Sequence, residues 1–577
     1  MSQQEPTCGT ERESEVRVEN TEGRIMSVEH RSSLRSSGGA RSDDVSVAGR
    51  GRMSQVESAQ ALDVHVEGYG ELLRASARRW PDRVALHFNS EVWTYGQLDA
   101  LVDQAAVTYR EFGVGLGDRV LLLMSNRPEY LLAQCAVSRL GAAFTTPNPH
   151  WTVTELERAV AAVAPTASIA EDRFDALLGA IVKLPLPSML APSQEIRLEP
   201  VVMDPDAEAY LPFTSGTSGT PKAVIHSAGS LHAGVQQLIR HLALSEADRL
   251  QLALPLCHLF GAVMTGASIA VGAEMTLFEK FELKACLDHL EQGQVTVFPI
   301  AGTVAYQLAE LEDLEQRDWS SLRMFMWGGS GVPRTLAEKI IERTGVGFLC
   351  SYGMTEAISV AFNPVDRQDE WSLESPGYPT SGMQWRLAGG RLAGSDAHGD
   401  RTVGELEVRG VSVAKGYANA PNDGWLGDGW FRTGDLVQIL PNGRIQIVDR
   451  RNDMLKVSGF QVSPVEVEQT LLAHAQVRDC AVFGERDPRT GDAVVAVVVP
   501  AGTEVSVPAL ELWAAERLAR YKRPHRYILA EAIPRSPSGK LLRRELSGCY
   551  GTNEDGTSKV KQPYIGRQIF LSRSEHA

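Results

Sequence analysis

Hydrophobic and polar residues alternate along this chain in two different rhythms. Short, unbroken apolar runs such as Arg119–Met124 and Val295–Pro299 have the length of strands buried on both faces. Among them, Thr154–Ala162 and Lys284–Gln292 space their apolar residues at helical intervals. Strand and helix patterns interleaved in this way predict an α/β fold with parallel sheet. From about Gly404 the rhythm changes: Gly404–Gly410 and Gly443–Val448 alternate strictly, as half-buried strands do. A last unit predicts a helix over Val465–Ala473, a strand over Ala493–Val499 and a helix over Ala509–Arg520. No internal repeat interrupts this order. The pattern reads as a large, multilayer N-terminal domain with parallel sheets and a β-rich subdomain, then a small α+β C-terminal domain.

The two ends differ from the middle. Residues 1–60 contain no Phe, Tyr or Trp, the first aromatic being Tyr69. Such a segment cannot bury enough apolar surface to offset its ordering entropy and is expected to be a disordered extension. Met53 offers an alternative start, because the folded pattern begins soon after it. The tail over residues 551–577 is similarly polar and is expected to be loosely attached.

Composition narrows the class. At 43% hydrophobic and 22% charged residues the chain is globular. A formal charge of −15 argues against nucleic acid as a partner, while leaving room for a local basic pocket. The seven cysteines are odd in number, scattered and without a CxxC pair, which fits neither a disulfide framework nor a zinc site. A reducing cytoplasm is the expected setting. The longest apolar stretch, Ala262–Phe278, is broken by glycines, threonines and Glu274, so no membrane span is expected. The N-terminus has no apolar core of a secretory signal.

The strongest local signal is Leu211-Pro-Phe-Thr-Ser-Gly-Thr-Ser-Gly-Thr-Pro-Lys-Ala-Val224. Its glycines let the backbone curl so that amide N–H groups can meet anionic oxygens. Thr214, Ser215, Gly216, Thr217, Ser218, Thr220 and Lys222 supply further donors and charge, a set suited to a polyphosphate. It is not a Walker loop, which needs Gly-x4-Gly-Lys followed at once by Ser or Thr. Taken alone, the string reads equally well as a flexible Ser/Gly linker.

Other strings decide between the two. The glycine-hydroxyl loop resembles the phosphate loop of the adenylate-forming superfamily: acyl-CoA synthetases, peptide-synthetase adenylation domains and luciferases. Pro255-Leu-Cys-His-Leu-Phe-Gly261 resembles its segment beside the acyl pocket, and Gly328–Pro333 and Ser351-Tyr-Gly-Met-Thr-Glu356 its adenine-binding strands. Trp430-Phe-Arg-Thr-Gly-Asp435 resembles the ribose motif, Asp449-Arg-Arg-Asn-Asp-Met454 the interdomain hinge, and Pro534–Lys540 the C-terminal lysine loop. The order is the family's, over roughly residues 65–547. The string around Ser458-Gly459-Phe460 is most similar to fatty-acyl and 4-coumarate CoA ligases.

That resemblance implies an ATP- and acid-binding domain over 61–449, a hinge at 450–453 pivoting near Asn452, and a mobile domain over 454–550. Relatives usually carry Asp or Lys at the pivot. It also implies roles. Gly329, Ser330, Gly331, Ser351, Tyr352 and Gly353 line the adenine site, with Tyr352 offering a flat face. Thr355 contacts the α-phosphate, Glu356 ligates Mg²⁺, and Asp435 with Arg450 receives the ribose. Lys540 bridges substrate carboxylate and ATP phosphates in the first half-reaction. Lys456 serves the second, where Ser458 and Gly459 let the coenzyme A arm pass. His258 lines the path from acyl pocket to phosphates.

Each of these residues has a plainer reading. Tyr-Gly-x-Thr-Glu is more often a turn opening a helix with Thr355 as cap, and Thr433–Asp435 a polar turn. A His in an apolar string is more often packed in a core. Arg450 could form a surface ion pair of little consequence, and an exposed Lys540 could simply be solvated.

Chemistry limits the substrate. The stretch Pro255–Gly266 has no carboxylate to hold an ammonium group, so α-amino acids are disfavoured. Phe260, Met264, Ile300 and Ala301 suggest an apolar pocket for a fatty, aryl or arylacrylic acid. No carrier domain is expected after Lys540, so any thiol acceptor is expected to be a separate molecule; the resemblance around Ser458-Gly459-Phe460 makes coenzyme A the leading one, ahead of a separate carrier protein or an amine. A non-catalytic nucleotide-binding scaffold is the alternative from another class, opposed by the presence of Lys222, Glu356, Asp435 and Lys540.

Overall fold

The computed structural model describes residues 68–577 apart from 191–195, 215–220, 301, 329–333, 393–401, 452, 458–459, 488–489, 503–504, 536–540, 552–568 and 571–577. The N-terminal extension and most of the tail therefore lie outside the described residues.

Local sequence explains where helices begin and end. Helix Val153–Val163 starts in a capping box, where the Thr152 hydroxyl accepts from Glu155 N–H and the Glu155 carboxylate accepts from Thr152 N–H at 2.8 Å. Thr94 and Gln97 start helix Tyr95–Glu111 in the same way. Ser463 and Ser506 cap helices Pro464–Leu472 and Val507–Arg517, each with proline in the first turn. The apolar stretch Ala262–Phe278 is two elements, helix Leu259–Val271 and strand Glu274–Leu277. Gly272 divides them at φ +76°, and a Cβ there would meet the Trp80 ring at 2.5 Å. Among the described residues no helix is long and apolar enough to cross a membrane.

Two mixed sheets form the body of the large domain. The centre of the first runs Val84–Phe88, Glu274–Leu277, Arg249–Leu252, Val297–Ile300, Met324–Trp327 and Phe348–Met354, all parallel. Val297–Ile300 and Met324–Trp327 are buried at every position, which is why they read as unbroken apolar runs. Its edges turn antiparallel, at Glu91–Thr94 on one side and at Ala357–Phe362 and Tyr378–Pro379 on the other. The second sheet places Val182–Leu184, Ala167–Ala170, Arg119–Leu123, Ala143–Thr146 and Glu208–Thr214 in parallel. Lys222–Ser227 and Gly416–Tyr417 extend it antiparallel. One large apolar core joins the helices and strands of both sheets.

The strictly alternating region is an antiparallel sheet of Met383–Leu392, Thr402–Gly410, Phe431–Ile439 and Ile445–Arg450. A smaller C-terminal domain follows. It has a core of its own around Val462, Leu471, Ala496, Val498 and Leu510. The helix expected over Ala509–Arg520 spans Val507–Arg517 and gives way to a 3-10 turn at Arg520–Lys522.

Candidate active site

Three sheets supply the polar residues singled out in the sequence. Thr214 ends strand Glu208–Thr214 and faces Lys222, the first residue of the returning strand, so the intervening loop bridges a tight antiparallel pair. That loop (Ser215, Gly216, Thr217, Ser218 and Thr220), like Ala301, Gly329, Ser330, Gly331, Asn452, Ser458, Gly459 and Lys540, lies outside the described residues.

Thr355 and Glu356 form the turn between antiparallel strands Phe348–Met354 and Ala357–Phe362. They do not open a helix, so Thr355 is not a cap. Segment 412–419 laces this turn to the strand that carries Lys222. Ala414 N–H donates to the Glu356 carbonyl at 2.9 Å, and Lys415 and Ala418 N–H donate to Ile225 and Ala223 carbonyls. Asn419 accepts from Ala223 N–H and donates to the Pro221 carbonyl, both at 3.0 Å, clamping the base of the glycine-hydroxyl loop.

The Glu356 carboxylate is buried, and its Oε1 accepts from the Tyr417 hydroxyl at 2.6 Å. The Lys222 ammonium lies 4.7 Å from the centre of the same tyrosine ring. Burial, reinforced by the Glu356 charge, holds the Tyr417 phenol well above its ordinary range.

A second buried carboxylate sits beyond the same strand. Asp435 and Arg450 are register partners in the antiparallel sheet, with Arg450 Nε 3.1 Å from Asp435 Oδ1. Asp435 Oδ2 accepts from the Tyr352 hydroxyl at 2.5 Å. Burial, with the Asp435 charge beside it, pushes the Tyr352 phenol far up. Burial alone would weaken the Arg450 cation; Asp435 and the other acidic groups around it together outweigh that effect and hold the guanidinium above its usual range. Within the pair Asp435 is buried, while the Arg450 side chain stays 46% exposed. Gly353 is explained by the protein itself: a Cβ there would fall 2.3 Å from the Ile358 carbonyl oxygen. Ser351 Oγ donates to the Trp327 carbonyl at 3.1 Å, tying this strand to its parallel neighbour.

The remaining residues are dispersed. His258 occupies the N-cap position of helix Leu259–Val271 and is exposed, which corrects the plainer reading of a packed core histidine. Phe260 is half-buried, whereas Met264 and Ile300 are fully buried in different apolar clusters. Lys456 is exposed on strand Leu455–Val457, its N–H held by Asp492 at 2.8 Å. A separate groove of about 720 Å³, lined by Leu116, Arg119, Val202 and Glu208 among others, opens at the amino ends of the parallel strands. Ligands of open α/β sheets bind at the carboxyl ends, where Thr214 stands, so the groove is set aside.

Sequence reasoning missed Tyr417, Asn419 and His226. No periodicity marks them. The crossing of segment 412–419 over the Lys222 strand brings Tyr417 and Asn419 to the site, and His226 reaches it from that strand through the Thr355 carbonyl.

Chemically, the arrangement offers a cation beside a glycine-hydroxyl loop, one carboxylate near it and another, Asp435, on the four-stranded antiparallel sheet. Among the described residues no cluster of three or more His, Cys, Asp or Glu is set to hold a metal by itself. Glu356 alone suits Mg²⁺, which is commonly bound through one or two carboxylates together with substrate phosphates.

Comparison with known proteins agrees with this geometry. The 4-coumarate–CoA ligase 1 of Oryza sativa subsp. japonica is 30% identical over 497 residues, covering 79% of this chain and 87% of that protein. The o-succinylbenzoate coenzyme A synthetase of Bacillus subtilis, solved with ATP and magnesium ion, superposes with a TM-score of 0.73 at 28% identity, covering 82% of this chain and 99% of that one. The amide bond synthetase McbA of Marinactinospora thermotolerans gives a TM-score of 0.74 at 28% identity, covering 83% and 99%. The model of the AMP-binding enzyme family matches residues 73–418, and that of the AMP-binding enzyme C-terminal domain matches residues 466–540. With more than half its length matched, this chain belongs to the family of AMP-binding enzymes.

Proposed function

We propose that this enzyme joins a carboxylic acid to ATP, releasing pyrophosphate and forming an acyl-adenylate, and then transfers the acyl group to coenzyme A. The carrying observation is that one strand and turn, Tyr352–Glu356, touches both buried carboxylates. Tyr352 holds Asp435 and Glu356 stands at the turn of the same strand, which supports one strand serving both the ribose and the phosphate ends of a nucleotide. Asp435 accepts from the ribose hydroxyls beside Arg450. Lys222 and the loop from Thr214 receive the outer phosphates.

Attack of a carboxylate on the α-phosphorus spreads charge over the non-bridging oxygens, so positioning and fixed cations dominate catalysis. Glu356 would hold Mg²⁺, which neutralises phosphate charge when bound. Thr355 contacts the α-phosphate, and Lys540 brings a cation to the reacting carboxylate. The C-terminal domain then turns about residues near Asn452, bringing Lys456 and Gly459 to the same centre for attack by the thiol.

Coenzyme A is supported by similarity to a coumarate ligase and a succinylbenzoate synthetase. An apolar arylacrylic or aryl acid is the favoured substrate class, with Phe260 at the pocket. A second reading, transfer to an amine, is supported by the equally strong superposition on an amide bond synthetase. A cytoplasmic setting fits the free cysteines at 135, 257, 286, 350, 480 and 549.

Pyrophosphate and AMP release, measured over a panel of acids with coenzyme A, an amine or neither, tests the proposal. Acid-dependent AMP formation that yields a thioester is expected. ADP as the nucleotide product would overturn it, and acyl transfer only to the amine would select the second reading.

A further inference from the structure

His226 is a fully buried histidine that the reaction scheme does not use. It lies in strand Lys222–Ser227, four residues beyond the phosphate-loop lysine. Its Nε2 is 2.7 Å from the Thr355 carbonyl oxygen, across the junction between two sheets. A carbonyl only accepts, so Nε2 carries the proton and Nδ1 presents its lone pair, 3.2 Å from Ser230 Oγ. Burial pushes the imidazole down to about 4, which leaves the ring neutral at working pH.

The turn it reaches needs an outside hold. Met354 and Ala357 are register partners, so Thr355 and Glu356 form a two-residue hairpin loop. Such loops normally take turns with positive φ, whose twist matches that of the flanking strands. Neither Thr355 nor Glu356 has positive φ. Their turn therefore tends to splay the strands, and a register shift between Tyr352 and Met354 accompanies it. Ala414 N–H fastens the Glu356 carbonyl from one side, and His226 fastens the Thr355 carbonyl from the other.

We propose that His226 is a positioning residue, whose Nε2–H bond to the Thr355 carbonyl aims the Thr355 hydroxyl and the Glu356 carboxylate at the nucleotide phosphates and Mg²⁺. The inference rests on the roles given to Thr355 and Glu356 above. Seating a first contact within a fraction of an ångström is the work of such supporting bonds.

The test compares His226→Gln with His226→Asn in the full-length enzyme. Glutamine carries its amide near the Nε2 position of histidine, and asparagine only near Nδ1. Pyrophosphate release is followed against Mg²⁺ at saturating acid, together with acyl transfer from supplied acyl-adenylate and the thermal midpoint. We expect His226→Asn to raise the Mg²⁺ requirement and slow adenylation by roughly tenfold or more, the scale of one lost buried hydrogen bond. His226→Gln should stay within about threefold of the parent. Acid KM and transfer from the adenylate should stay level in both. Equal behaviour of the two variants would overturn the inference, whatever their stability.

Glu356→Gln serves as the reference. If it raises the Mg²⁺ requirement and His226→Asn does not, the role of His226 falls. If Glu356→Gln leaves that requirement unchanged, the metal assignment falls instead, and the contrast between glutamine and asparagine in adenylation rate still decides His226.

Discussion

The Tyr417 hydroxyl donates to Glu356 Oε1 at 2.6 Å while the face of its ring lies 4.7 Å from the Lys222 ammonium. One side chain thus bridges the phosphate-loop cation and the carboxylate proposed for Mg²⁺. Tyr417→Phe keeps the ring beneath Lys222 and removes only the bond to the carboxylate, an interaction worth about 1.5–3 kcal/mol when one partner is charged. Adenylation should fall roughly tenfold or more, with a raised Mg²⁺ requirement. Tyr417→Ala, which also removes the ring, should fall further. Pyrophosphate exchange at graded Mg²⁺ measures both; identical Phe and Ala variants would mean that the phenol, not the ring, is the whole contribution.

Much of this site was legible beforehand because its chemistry is concentrated in short strings. Glu356, Asp435 and Arg450 carry their meaning in adjacent residues, and the structure brings Tyr352, Asp435 and Arg450 into one bonded group. The parallel centres of both sheets were legible for a related reason: strands buried on both faces, such as Val297–Ile300, leave unbroken apolar runs. Their antiparallel edges were not, because strand direction at an edge is set by connections and not by side-chain pattern. Tyr417 and His226 escaped too, since each meets its partner only through tertiary crossing, His226 and Thr355 being 129 residues apart. The resemblance places Gly353 in the adenine site, yet the Ile358 carbonyl already requires a glycine there.

The two domains meet in a bonded group with a readable consequence. Arg535 Nη2 donates to both Asp479 oxygens, at 2.8 and 3.1 Å, and its guanidinium lies over the ring of Tyr306 on helix Gly302–Glu310 of the large domain. The Tyr306 hydroxyl donates to the same Asp479 at 3.0 Å. Arg535 is the second residue of the Pro534–Lys540 string, so this group ties the start of that string to the large domain. Arg535→Ala should slow adenylate formation by about tenfold and leave transfer from supplied adenylate within about twofold. Half-reaction kinetics decide it; an equal loss in both steps would remove any link between this contact and the first step.

In the C-terminal domain, Glu468 provides a pH-dependent test. Its carboxylate is buried on helix Pro464–Leu472, accepts from Val482 N–H at 2.8 Å and is gripped by Arg543 Nη2 at 2.8 and 2.7 Å. Burial outweighs the Arg543 charge and pushes the group up to about 7. An unfolded glutamate titrates near about 4.3, so the native state binds this proton more tightly. The associated stability is complete below the unfolded value and is lost as pH rises towards and through about 7. Urea midpoints of the parent should therefore fall between pH 5 and pH 8 by more than those of Glu468→Gln. The difference should be on the order of 3 kcal/mol or less, at about 1.4 kcal/mol per unit. Parallel pH slopes would show that Glu468 stays ionised against Arg543 throughout.

Lys540 and Lys456 provide the sharpest test of the two-step scheme. Adenylation and thioester formation need different surroundings at one centre, and a single rigid site can hardly serve both. The small domain has a core of its own, so it can turn as a body. Asp449, just before the proposed hinge, accepts from the Ser463 hydroxyl that caps helix Pro464–Leu472. Lys456 stands exposed on a strand ahead of that helix, and Lys540 lies further along the chain, ahead of helix Arg543–Tyr550. Losing a preorganised charge aimed at a transition state typically costs about 3–4 kcal/mol, or about 10²–10³ in rate. Lys540→Ala should therefore cripple adenylate formation and spare transfer from supplied acyl-adenylate. Lys456→Ala should show the reverse. Arginine at 540 should rescue poorly, because a planar guanidinium fork does not replace an ammonium point charge. Equal damage to both half-reactions by both substitutions would refute alternation of the domain.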